Sequence, residues 1–285
     1  MSLYFTDMAH NPFLVTGLWA GFLAGISCGI VGPWVVTRRI VFLAGAIAHI
    51  AVGGVGASIY LSYRFPALFG DLHPLVGATV TAVLAAFLLA RLTHRRPHNL
   101  DALIGALWSM GMAAGILLIK LTPGYQTELM AYLFGNLTLV SRSDLHLLLV
   151  LDVLVIGVAC IYHKQFLALC LDPEQATLAG IDTRAAHTIM LLLVALTVIT
   201  LTQVVGLLLV IALLSLPAAT AARFTGSLPA AIVCSTILCA LLTVIPRIAV
   251  YSTPIGPEPA IILAAGSVYG LSLLVRRRKI GSRAL

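Results

Sequence analysis

The chain has 285 residues, 60% of them hydrophobic and only 9% charged, with a mean hydropathy of +1.06 and a formal net charge of +7. Soluble domains carry roughly 25% charged residues, so this composition excludes a water-soluble globular protein and leaves no sizeable domain outside a membrane. In a soluble chain the positive charge would raise nucleic-acid binding; here it sits in short loops between apolar runs, and no nucleic-acid partner is expected.

Met1 to Asn11 carry Asp7 and His10 rather than a basic leader region, so no cleaved signal is expected and the first span acts as its own insertion signal. A spanning helix needs about 20 apolar residues. Spans are predicted over Phe13 to Val36, Ile40 to Ser62, Pro74 to Leu92, Leu100 to Ile119, Asp144 to Ile161, Ala185 to Leu201, Val204 to Ala222, Ala230 to Ile245 and Ala260 to Val275. The break at Thr202-Gln203 is the weakest; without it the count falls from nine to eight and the amino terminus changes sides. The fold class expected is an all-α integral membrane bundle of eight to nine spans, forming a single transmembrane domain over residues 1 to 285.

The loops carry their charge unevenly. Arg38, Arg39, Arg91, Arg95, Arg96, Lys164, Arg184, Arg223 and the run Arg276 to Lys279 fall in alternate loops or the tail, whereas Arg64, Lys120, Arg142 and Arg247 are mixed with Asp71, Glu128, Asp144 and Glu258. Cytoplasmic loops are the ones enriched in Lys and Arg, which places the first set and the carboxyl terminus in the cytoplasm.

Within the spans, Gly21, Gly25 and Gly29, and again Gly111 and Gly115, are spaced for close helix packing. In the second span, Gly45, His49 and Gly53 recur every fourth residue and share one helix face, bare except for the imidazole. An ionisable group at membrane depth marks a transport path by default, and neutral imidazole is a good ligand for zinc and related metals. The alternative is a structural histidine bonded to a backbone carbonyl. Asp152 is the one carboxylate well inside a predicted span; it either faces a polar path or pairs with a donor such as His146. The five cysteines, Cys28, Cys160, Cys170, Cys234 and Cys239, lack the paired spacing of a zinc site and are expected to be free.

Between the fifth and sixth spans lies a polar island, Leu171 to Arg184. Asp172 suits an N-cap, Pro173 a first helical residue, Glu174 the positive first turn and Gly180 a left-handed stop, so a short surface helix is expected there. In a chain otherwise buried in lipid, such a helix points to a docking partner. No His-Glu-x-x-His is present to hold a catalytic zinc. The Gly-x-x-x-x-Gly-Lys-[Ser/Thr] loop for nucleotide phosphates is also missing, so any ATPase must be another chain.

Taken in order, several stretches resemble one family. They are Arg38-Arg39, Ala48-His49 with Gly54, Asp101 to Gly105, Leu133 to Asn136, the island Asp172 to Ala176 through Gly180, Val205 to Val210, Leu216 to Ala221, and Gly256-Pro257. As an ordered set they are similar, from end to end, to the family-three ABC permeases of zinc and manganese uptake. The resemblance implies a type II importer-like permease of the bacterial inner membrane, working as a homodimer in lipid. It implies an ABC ATPase subunit docked through Asp172, Pro173, Glu174, Ala176 and Gly180. It also implies an extracytoplasmic metal-binding protein at the outer mouth. No cofactor is expected to reside in the chain; the divalent cation, zinc before manganese or iron, is cargo, with His49 a transient ligand. One departure bears on cargo: many members carry an aspartate four residues before this histidine, and here that position is Gly45. A permease for an iron-siderophore or cobalamin, and an ion-coupled secondary transporter with interrupted helices at Gly32-Pro33 and Gly256-Pro257, are the rival readings.

Overall fold

The computed structural model describes residues 6–7, 11–70, 72–95, 100–123, 135, 140–254 and 256–275. The described residues form helices and no strand. In chain order the helices are α1 (Pro12–Thr37), α2 (Val41–Arg64), α3 (Pro66–Phe69), α4 (Pro74–Arg95), α5 (Leu100–Lys120), α6 (Arg142–Ile161), α7 (His163–Leu171), α8 (Pro173–Leu178), α9 (Thr183–Val205), α10 (Leu207–Phe224), α11 (Leu228–Ala249) and α12 (Pro257–Leu274). Nine of these are long and apolar enough to cross a membrane. They match the nine predicted spans, with ends moved by a few residues.

The seam between the sixth and seventh spans is placed differently from the expectation. α9 runs through Thr202 and Gln203 and stops at Gly206, whose φ of 87° no other residue type adopts cheaply. The threonines do not break the helix because each hydroxyl donates back to its own helix: Thr197 to the Leu193 carbonyl at 2.8 Å and Thr202 to the Val198 carbonyl at 2.6 Å. A single glycine therefore separates two spans.

Two compact units share the chain. The first comprises Met1–Arg38, Asn136–Cys160 and Leu208–Leu285; the second comprises Arg39–Gly135 and Ile161–Leu207. In the first unit α1 packs along α11, with Gly25 against the backbone of Cys239 and Ala240 and Gly29 against Thr236. In the second, α2 is the central helix, clasped by α4 on one side and α5 on another, with α9 packed on both α2 and α4. The glycines expected to serve packing therefore do so inside each unit.

Peripheral spans are apolar all round. On α6, Leu149, Val150 and Val153 are all more than half exposed, which makes sense only with lipid as the solvent for that face. Leu68, beside the outer end of α2, is 80% exposed. A cysteine placed there in a cysteine-free background should react with membrane-impermeant reagents from outside, and one at Arg96 only from the cytoplasm. Labelling of both from one side would overturn the orientation derived from loop charge. Arg96, the tail Arg276 to Lys279 and the segment Leu133-Phe134 with Asn136 lie outside the described residues.

Candidate functional site

His49 sits in the buried interior of α2, 7% exposed. Its Nδ1 lies 2.8 Å from the carbonyl oxygen of Gly45, one turn earlier. Nδ1 therefore carries the proton as donor, which leaves Nε2 as the lone-pair nitrogen, the arrangement a metal-ligating histidine needs. The same bond satisfies the structural alternative, so geometry at Nδ1 serves both readings.

The face that looks bare in sequence is covered. The indole of Trp108 on α5 stacks on the imidazole with ring centroids 4.2 Å apart and an interplanar angle of 31°. Gly45 faces the same indole: a Cβ added at Gly45 would lie 3.2 Å from Trp108 Cζ3. One turn beyond His49, Gly53 meets the Gly111 backbone of α5, with a Cβ there 2.9 Å from the Gly111 carbonyl. The neighbour that approaches this face is thus α5 of the same unit. Among the described residues no group of three or more His, Cys, Asp and Glu side chains is gathered closely enough to hold an ion. Nothing in the sequence around His49 announces Trp108; its contact is long-range.

The island folds as expected. Asp172, extended at φ −152°, ψ 104°, caps α8 by accepting from the Glu174 and Gln175 backbone N–H groups at 2.9 and 3.1 Å. Pro173 opens the helix and Glu174 lies in its first turn. At the other end Gly180, at φ 82°, donates to the Thr177 carbonyl and Ile181 donates to the Ala176 carbonyl, both at 3.0 Å, a Schellman stop. Asp182 at once caps α9 through the N–H groups of Arg184 and Ala185. Ala176, 4% exposed, turns inward toward α7 and α9, while Leu178 is left 88% exposed. The helix is thus fixed at both ends and anchored by one alanine, with a leucine on its exposed side.

Asp152, in α6, is 5% exposed and accepts a hydrogen bond from the Ser27 hydroxyl of α1. The expected partner His146 is instead exposed near the start of the helix. Ser27 also lies in an enzyme-like signature, although no such elbow is expected of the chain: Gly25-Ile26-Ser27-Cys28-Gly29 matches Gly-x-Ser-x-Gly letter for letter. The elbow requires a strand-to-helix turn that exposes the serine. Here the run is mid-helix in α1 and Ser27 is wholly buried, so it is no nucleophile elbow. None of the five cysteines is in a disulfide.

Nine helices long and apolar enough to span, among the described residues, define a multi-spanning membrane protein. The model of the ABC 3 transport family matches residues 10–276, and the chain belongs to that family. It is 36% identical over 269 residues to a Chlamydia muridarum protein described as a "Probable metal transport system membrane protein", an alignment covering 93% of this chain and 90% of that one. It is 30% identical to the manganese transport system membrane protein MntC of Halalkalibacterium halodurans, covering 95% and 90%. Among solved structures, PsaBC from Streptococcus pneumoniae in complex with a Fab superposes with a TM-score of 0.83 at 27% identity, covering 95% of each chain. A metal-chelate type ABC transporter in an inward-facing conformation shares the fold at a TM-score of 0.64 and 16% identity. The chain is accordingly a multi-pass ABC permease of the bacterial inner membrane.

Proposed function

We propose that this permease is the translocation subunit of an ATP-driven importer of divalent transition metals, with zinc the favoured cargo. Two copies form the pathway, a separate ABC ATPase docks on α8, and an extracytoplasmic metal-binding protein delivers the ion. The observation that carries the reading is α8 itself: Asp172, Pro173, Glu174, Ala176 and Gly180 build a rigid element outside the spans with a fully presented outer face. His49 is the proposed transient ligand through Nε2, held by a single imidazole so that the ion can leave.

Cargo preference follows from donor chemistry. Imidazole suits zinc, whereas manganese favours carboxylate and carbonyl oxygen. Position 45 offers no carboxylate, and a side chain there would press on Trp108. Manganese is the second reading, favoured by the MntC relative and by the manganese import permease ScaB of Streptococcus gordonii, 28% identical over 263 residues.

Proteoliposomes holding the permease, its ATPase and the binding protein decide the matter. ATP-dependent uptake of radioactive zinc, competed poorly by manganese, is the expected result. The reverse order moves the assignment to manganese; uptake only of a metal chelate, or uptake driven by an ion gradient without ATP, overturns the proposal. His49→Ala should lower uptake by about tenfold or more, the scale on which loss of a metal contact lowers affinity. The variant should still insert, because alanine leaves no buried unpaired charge. Normal uptake by the variant would remove His49 from the pathway.

A further inference from the structure

The first unit buries a carboxyl for which transport, as proposed, has no use. Asp152 Oδ1 accepts from the Ser27 hydroxyl, and Oδ2 is buried with no hydrogen-bond partner. Cys28 of α1, a fully buried thiol, lies within electrostatic reach both of Asp152 and of Cys239 of α11, whose thiol is directed at the Leu213 carbonyl of α10 at 3.5 Å.

Among the described residues no cation is paired with this group. On α10 the described basic residue is Arg223, whose guanidinium is committed to the Ser272 and Leu273 carbonyls at the end of α12. Arg247 of α11 stands eight residues beyond Cys239, about 12 Å along the helix at 1.5 Å per residue. A shared metal is disfavoured too, since the described His, Cys, Asp and Glu side chains do not gather in threes.

A bare carboxylate in such surroundings is not tolerated; the group takes up a counter-charge or becomes neutral. We propose that Asp152 is a proton-binding site, occupied in this packing. Ser27 supplies the hydroxyl that meets the acid. This assignment does not depend on His49 or on the identity of the metal.

Infrared spectroscopy of the full chain in lipid tests it at neutral pH. The expected result is a carbonyl-stretch band of an un-ionised carboxylic acid that shifts when aspartate is isotope-labelled at its side-chain carboxyl carbon and vanishes in Asp152→Asn, with that variant accumulating like the parent. Absence of the band, or its persistence in the variant, overturns the proposal. If Asp152→Asn does not accumulate, the isotope shift in the parent decides. Asp152 is the buried aspartate among the described residues, so a band that labelled aspartate does not shift sinks the idea equally.

Discussion

Leucine at position 77 is expected to prevent the folded permease from accumulating. Gly77 of α4 and Gly54 of α2 meet backbone to backbone: a Cβ at Gly77 would fall on the Ser58 hydroxyl and the Gly54 carbonyl, and one at Gly54 on the Gly77 carbonyl and Thr81 Oγ1. A flexible side chain could yield to such an intrusion, but a helix backbone yields only if the helix moves. α2 has nowhere to go, because on its α5 side Gly53 and Gly56 are held against Gly111 and Gly115 in the same way. Overpacking an ordinary core costs about 1–3 kcal/mol; parting two helices here also forfeits the close contact that stands in for the hydrophobic effect in lipid. Against a total stability of about 5–15 kcal/mol, this is enough to lose the unit. Gly157→Leu is the control, since nothing lies within 4 Å of a Cβ there. Size-exclusion profiles of detergent extracts should show a monodisperse peak for the control and almost none for Gly77→Leu; equal peaks would mean that the crossing is not tight.

The second large effect is expected at α8, without loss of fold. Glu174→Lys puts a cation at the positive end of the helix, a local cost of about 0.3–1 kcal/mol. Leu178→Asp removes the exposed apolar side chain, whose burial in a partner is worth about 1.5–3 kcal/mol. Neither touches what holds the helix, namely the Asp172 cap, the Gly180 stop and the buried Ala176. Both variants should insert like the parent; Leu178→Asp should bind the ATPase about tenfold to a hundredfold more weakly, as its burial energy translates into affinity, and Glu174→Lys about twofold to fivefold more weakly. Metal-stimulated ATP hydrolysis should be largely lost. Parental coupling in both would reduce α8 to a connector.

What could be read from sequence was what is local. Asp172, Pro173 and Gly180 act on backbone groups within a few residues, so their types and spacing alone define the helix. The nine spans follow from apolar length, and the glycine spacing reveals a contact face. The partner of each face could not be read. Trp108 reaches His49 from another span, and Ser27 reaches Asp152 across 125 residues. Those pairings belong to the bundle, not to any window of sequence. The misplaced seam at Thr202-Gln203 has a different cause: polarity was weighed as a break, although threonine hydroxyls satisfy themselves on the preceding turn and Gly206 carried the signal.

The interleaving of the two units has a consequence for biogenesis. The first unit is assembled from three separate stretches of chain, and Gly29 of α1 finds its neighbour Thr236 only when α11 exists. At roughly 5–20 residues per second, the ribosome takes roughly 10–40 s to bridge that interval. Throughout it α1 waits in the bilayer with its narrow glycine face toward lipid, while most of the second unit is already emerging. The order of synthesis thus gives the second unit a head start, and the first unit closes only when the last spans arrive.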